Sequence, residues 1–229
     1  MQPMSTKPSS TKPSRAQKPA AKRSYDSSRR KRQAAQTRSE VLSAAMTLFN
    51  DSGWAGTTIA AIAEAAGVAV ETIYSGFGSK KALLRAAADA GIVGDAEPVA
   101  YIDRPEFDQL GLGTMRERMG AGTALLANTH QRSAGVWRAV QDAAENDEEL
   151  AAWALEAGER RRLDTGRSLE RMLERTLDGP MLDVLWVLYG PETYRKLVHE
   201  RGYTRAEYQA CIAEATVRML GEDLALLDG

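Results

Sequence analysis

Ile59-Ala-Ala-Ile-Ala-Glu-Ala-Ala-Gly67-Val-Ala-Val-Glu-Thr-Ile-Tyr74 decides how this chain is read. Ile59, Ile62, Ala63 and Ala66 recur at i, i+3, i+4 and i+7, which is one face of a short helix, and Thr57 before it is a candidate N-cap. Gly67 stops that helix, because glycine enters the left-handed conformation without a Cβ penalty, and a second helix restarts at Val68 or Ala69. Two short helices with a glycine in a tight turn form a helix-turn-helix, whose second helix lies across the surface, free to enter a DNA major groove. An ordinary helical hairpin in a core has the same pattern. The flanks decide between them.

Upstream, Thr37-Arg-Ser-Glu40 has capping-box spacing and predicts a helix with apolar positions at Val41, Ala45, Leu48 and Phe49, ended by Gly53. Trp54 follows, where an indole plugs a small three-helix core. Downstream, Phe77 anchors a loop, and Ser79 caps a further helix carrying Leu83 and Leu84. Lys80 falls in the first turn of that helix. A helix dipole disfavours a cation at that end, so Lys80 reads as one side of an anion site or as a solvated lysine.

The formal net charge of −1 conceals a division along the chain. Residues 1–38 hold eleven basic side chains, including Arg29, Arg30, Lys31 and Arg32, against Asp26 alone, while everything after position 38 has 19 basic and 30 acidic residues. Up to about Arg32 the sequence is Lys, Pro, Ser, Thr, Ala and Gln with almost no large apolar group, which predicts a disordered arm over 1–36. Such an arm tracks phosphates or enters a minor groove; a solubilising tail is the plainer reading. A transit peptide would need an apolar helical face that is missing here.

Past Ala90, Gly91-Ile-Val-Gly-Asp-Ala-Glu-Pro98 breaks the helical pattern and marks a hinge into a second unit. Pro105 opens a short helix ended by Gly111-Leu-Gly113. Helices are then predicted over about 114–130, 133–145 and 147–177, then 181–188, a restart at Pro191 through Leu197 and Val198, and a last one capped by Thr204. No strand pattern or repeat is visible. The fold class expected is all-α.

Catalytic motifs are sparse in the sequence. His130 and His199 are the only histidines, and His199-Glu200 leads to Arg201-Gly202-Tyr203 rather than to a second histidine at zinc spacing. No nucleophile elbow or phosphate-binding glycine loop occurs; Gly111-Leu-Gly113 leads to Arg116 where a third glycine would stand. The cluster Glu145, Asp147, Glu148 and Glu149 sits where acidic residues favour a helix start. Cys211 is the only cysteine, so an intrachain disulfide is impossible, a zinc cluster cannot form on it, and a reducing compartment fits. No apolar run approaches the ~20 residues of a membrane span. A non-enzymatic, soluble, cytoplasmic protein without metal or cofactor is expected. Met115, Met119, Trp137, Trp153, Met172 and Trp186 are candidates to line an apolar pocket between helices, with plain core packing as the alternative.

Residues 37–90 as a unit resemble the DNA-binding domain of the TetR family of bacterial transcriptional regulators. The resemblance is carried by Thr57-Thr58, Ile62-Ala63, Ala66-Gly67-Val68, Thr72-Ile73-Tyr74, Phe77, Ser79-Lys80 and Ala82-Leu83-Leu84. It implies phosphate contacts from Thr58, Tyr74 and Lys80, and groove-facing positions at Val70, Glu71, Thr72 and Ser75. Thr and Tyr hydroxyls donate to phosphate, Thr and Val methyls meet a thymine methyl, and a Glu carboxylate accepts from cytosine N4. Glu71 equally suits a helix N-terminus. Ala69 stands where such domains often have a capping Ser, and Ser75-Gly76 replaces bulkier residues.

The rest of the chain is also similar to TetR-type regulatory domains, through Asp183-Val-Leu-Trp186, Pro191-Glu-Thr-Tyr194 and Arg201-Gly-Tyr203. That similarity implies a homodimer with contacts from Leu185, Trp186, Leu188, Ile212 and Leu220, although core packing suits them as well. The expectation is a disordered basic arm (1–36), a helix-turn-helix domain (37–90) and a helical ligand-binding and dimerisation domain (91–229). Its partners would be double-stranded DNA, a second copy of itself and an apolar or amphipathic small-molecule effector, with no membrane. Function is then that of a ligand-responsive repressor on a palindromic operator. The alternative is an architectural protein that coats DNA non-specifically through its arm.

Overall fold

The computed structural model describes residues 21–93 and 104–221, with the side chains of 21–28 and 93 excepted. Residues 1–20 of the basic arm and residues 94–98 of the expected hinge lie outside the described residues. The chain divides into two units, 1–36 and 37–229. All described elements are helices or turns, in agreement with the all-α expectation.

In the first unit the helix α1 (Ala21–Gly56) already begins at Ala21, which corrects the expectation of a disordered arm through residue 36. Pro19 is the last proline before it, and Ala, Arg, Lys and Gln between residues 21 and 36 are good helix formers. Arg29, Arg30, Lys31 and Arg32 are exposed. Because α1 runs through Thr37, that residue is not a cap. The reading of Gly53 as the stop is met by its backbone, at φ 66° and ψ −169°, which interrupts the helix.

The second unit contains the rest of α1 and α2 (Ile59–Ala66), α3 (Val70–Phe77), α4 (Lys80–Val93), α5 (Pro105–Asp108) with a 3-10 turn to Gly111, α6 (Met115–Ala144), α7 (Glu148–Leu173), α8 (Gly179–Leu188), α9 (Pro191–Tyr194) with a π-helical continuation Arg195–Glu200, and α10 (Arg205–Met219). Caps account for most starts. Asp147 accepts from the Leu150 amide, Asp178 from Met181, and Thr114 and Thr204 form complete capping boxes with Glu117 and Glu207.

Where two helices were predicted over 114–145, the structure has one, α6, of 30 residues and so about 45 Å long. It spans two apolar cores. The first joins Val41, Phe49, Ile62, Ile73, Leu83 and Leu84 to Val136, Trp137, Val140, Leu150 and Trp153. The second gathers Leu110, Met119, Leu169, Met172, Leu185, Tyr208 and Ile212. The four helices α1 to α4 therefore share a core with α6 and α7, and residues 37–229 form one compact unit rather than parting near residue 91. No single helix among the described residues is long and apolar enough to cross a membrane.

Candidate nucleic-acid interface and adjoining cavity

The pair α2 and α3 is built locally. Gly67 takes the left-handed conformation (φ 66°, ψ 31°), its amide reaching back to close α2, and the two helices meet at 105°. The N-cap of α2 is Thr58, whose Oγ1 accepts from the Ala61 amide at 3.1 Å, not Thr57 as the sequence suggested. Thr57 is buried, its hydroxyl 2.7 Å from the Gly53 carbonyl and 3.0 Å from that of Leu48. It ties α1 to the start of α2. Helix α3 begins at Val70 after Ala69, which supplies no side-chain cap.

Ile73 turns inward and Glu71, Thr72, Tyr74 and Ser75 are exposed, which leaves one open face of α3. Tyr74 remains 51% accessible, so its hydroxyl is free to reach a phosphate. The Ser75 hydroxyl donates to the Thr72 carbonyl at 3.0 Å and so presents its lone pairs outward as acceptors. Thr58 is exposed as well. Val70 departs from the expected groove face: it is half-buried and packs on the first core.

Lys80 also departs. Its ammonium donates to the Trp54 carbonyl at 2.5 Å and lies 3.9 Å from the centre of the Trp54 ring, and partial burial lowers its pKa. The unfavourable position at a helix start is thus offset by an internal acceptor and a π face. Ser79 caps α4 as expected, accepting from the Ala82 amide at 3.1 Å. Arg38, which the sequence reading passed over, clamps the far end of α3: its guanidinium donates to the Gly76 carbonyl at 3.3 Å and sits 4.3 Å over the Phe77 ring.

Residues 39–93 hold three basic side chains, Lys80, Lys81 and Arg85, against five acidic ones. Of the three, Lys81 lies 2.8 Å from Asp147 and Arg85 3.2 Å from Glu149, so they join α4 to the start of α7. Positive charge for DNA is concentrated before residue 39.

Beside this domain lies a cavity of about 160 Å³ between the end of α4, α6 and α7. Of the expected pocket residues, Trp137 and Met172 line it, but Met115, Met119, Trp153 and Trp186 do not. Met119 is buried in the second core with Met115 packed against it. Trp153 stacks on Trp137, centroids 5.7 Å apart, and the Trp186 ring lies 5.6 Å from the Arg161 guanidinium. The sequence reading missed the polar side of the wall, His130, Arg160 and Arg161. His130 donates from Nε2 to the Tyr189 carbonyl at 2.8 Å, and burial pushes its pKa down to about 4. The Tyr189 phenol, also buried, is raised to about 12 and pairs with the Thr216 hydroxyl at 3.0 Å.

The dimer candidates divide. Leu185 and Ile212 are fully buried in the chain's own core and are removed from the list, while Trp186, Leu188 and Leu220 are partly covered. Exposed apolar side chains on the same elements are Val184 and Val187 on α8 and Met219 on α10. Among the described residues no group of His, Cys, Asp and Glu could hold a metal ion.

Comparison with known proteins agrees with this geometry. Residues 41–87 match the family of bacterial regulatory proteins, tetR family. No curated protein matches the sequence. Among solved structures, a chain assigned as a TetR-family transcriptional regulator from Rhodococcus sp. superposes with a TM-score of 0.62 at 17% identity, covering 80% of this chain and 98% of that one. Residues 41–87 are therefore similar to bacterial regulatory proteins of the tetR family, and the all-α fold around them is the fold of that solved chain.

Proposed function

We propose that the protein is a homodimeric, ligand-responsive repressor, cytoplasmic and non-enzymatic, whose two α3 helices engage the half-sites of a palindromic operator. The observation that carries this reading is the open face of α3, with Glu71, Thr72, Tyr74 and Ser75 outward on a helix held by Ile73 from within. Such a face has hydroxyls for phosphates and a carboxylate and methyl for base edges. The exposed Arg29–Arg32 run adds sequence-independent attraction. Val184, Val187 and Met219 are the surface offered to a second copy.

Helix α4 is the mechanical link. Its first turns hold the reader, through Lys80 on Trp54 and through Leu83 and Leu84 in the core; its last turns carry Asp89 and Ile92 to the cavity. A ligand that shifts the cavity end of α4 tilts both readers. Because major-groove faces on one side of DNA recur about every 34 Å, a small rotation spoils simultaneous engagement. Selection of bound fragments from random DNA tests this: an enriched inverted repeat is expected, and no enrichment over background at physiological salt overturns it. A protein that coats DNA through its arm alone would enrich nothing.

A further inference from the structure

The polar atoms of the cavity do not match its apolar walls. Leu125, Leu126, Trp137 and Met172 supply apolar surface. On the same wall Thr129 Oγ1, His130 Nδ1 and Arg161 Nε are buried with no hydrogen-bond partner among the described residues. Buried polar groups are rarely left in this way, and three around one space indicate a missing partner with its own polar atoms.

Their chemistry states what that partner must offer. His130 spends its Nε2 proton on the Tyr189 carbonyl, so the neutral ring presents Nδ1 as an acceptor and calls for a donor. Arg161 is a donor only. Its guanidinium lies over Trp137, 5.1 Å from the ring centre, with no carboxylate within ion-pair distance among the described residues. Glu192 acts on it only from afar and accepts from Gln141 at 2.6 Å. The cavity's own carboxylates, Asp89 and Asp164, are raised in pKa by burial, and the charges that act on them are Arg160, Arg85 and Arg167 rather than Arg161. No carboxylate of the cavity lining therefore acts on Arg161. Size adds a bound, since a cavity of about 150 Å³ holds one benzene ring.

Resting on the reading of the protein as a ligand-responsive regulator, we propose that this cavity binds a small amphipathic acid. Its carboxylate meets Arg161, a hydroxyl or N–H donor meets His130 Nδ1, and a single ring or short hydrocarbon body lies against Leu125, Leu126 and Met172. An apolar ligand without an acid would leave Arg161 buried and unpaired.

The test is calorimetric titration of the full-length protein with 4-hydroxybenzoate and 6-hydroxyhexanoate, each beside its primary amide of nearly equal shape. At least one acid is expected to bind at least about tenfold more tightly than its amide, because a charge-assisted pair replaces a neutral one. In Arg161→Gln that preference should vanish, and Arg161→Lys should keep part of it; melting curves of the free variants report whether each is folded. Failure of both acids to bind at about 10 mM overturns the proposal. So does equal binding of acid and amide by the wild-type chain, a comparison that needs no variant. Retention of the preference in a folded Arg161→Gln overturns it too. Fragment selection run in parallel separates the two readings: enriched DNA with no acid binding removes only the ligand class, whereas absent enrichment removes the regulator itself.

Discussion

Asn50 occupies the space that Gly135 leaves open. A Cβ at Gly135 would stand 2.7 Å from the Asn50 Cα and 2.8 Å from its carbonyl oxygen, so the end of α1 crosses α6 there at backbone contact. The Asn50 amide uses the proximity: Nδ2 donates to the Arg132 carbonyl at 2.7 Å, and Oδ1 accepts from the Val136 amide at 2.9 Å. Those two backbone groups are the pair that an α-helix joins i to i−4, and the Asn50 side chain of α1 engages both of them. Gly135→Ala should destabilise the protein by about 1–3 kcal/mol or more through overpacking. Asn50→Ala should cost about 1–3 kcal/mol if the two backbone groups stay open, less if α6 recloses. Urea unfolding of both variants measures this, and unchanged midpoints would show that the crossing carries no stability.

Helix α3 starts on Ala69 at φ −73° and ψ 149°, a backbone that suits a capping hydroxyl, with none present. Ala69→Ser should therefore raise stability by about 1 kcal/mol. A melting temperature that does not rise would mean that the Ser hydroxyl finds no amide in the first turn.

Within the reader the roles of phosphate and base contacts separate experimentally. Tyr74→Phe removes the exposed hydroxyl proposed to meet a phosphate and should weaken all sequences alike. Glu71→Ala and Thr72→Ala should relax preference at one or two base pairs, each worth about 1–3 kcal/mol of discrimination. Binding of the selected site and its single-base variants distinguishes them; uniform weakening by all three substitutions would assign Glu71 and Thr72 to support of the helix.

Replacing Arg29, Arg30, Lys31 and Arg32 by Gln should flatten the salt dependence of DNA affinity. Each phosphate contact contributes about −0.9 to the slope of log K against log salt, so the change should reach about 3.6 if all four side chains engage. Sequence preference should survive. An unaltered slope would leave the exposed run without a role in binding.

His130 sets a pH limit on stability. Its folded pKa, lowered to about 4 by burial, lies below the unfolded value near 6.5, so the neutral ring stabilises the fold fully above about pH 6.5 and that contribution is lost as pH falls towards 4. Urea midpoints should drop between pH 7 and pH 5, and His130→Gln, which keeps a donor for the Tyr189 carbonyl, should drop less over that range.

Stretches governed by near neighbours were legible from the sequence. Gly67 as a turn, Gly53 as a stop, and Ser79, Asp147 and Thr204 as helix starts rest on contacts within a few residues, and the buried faces of Ile62 and Phe49 follow from helical spacing. Where competing short-range choices existed, reading failed by small steps: Thr58 rather than Thr57 caps α2, because the neighbouring hydroxyl is drawn inside to α1. In the arm, a lack of apolar residues argues against packing but not against the local helix of Ala, Arg and Gln that begins at Ala21.

The amino-acid sequence by itself determined the helix-turn-helix, because its turn, face and spacing are properties of sixteen consecutive residues. Only the tertiary structure decided the rest. Asn50 meets α6 across more than eighty residues, Lys80 finds Trp54 instead of solvent, and Arg161 is gathered with Thr129 and His130 on one cavity wall while most of the methionines and tryptophans that looked like pocket lining go elsewhere. Periodicity reports which face of a helix is buried; what that face meets depends on helices distant in sequence, and so do the charge left unpaired and the chemistry it invites.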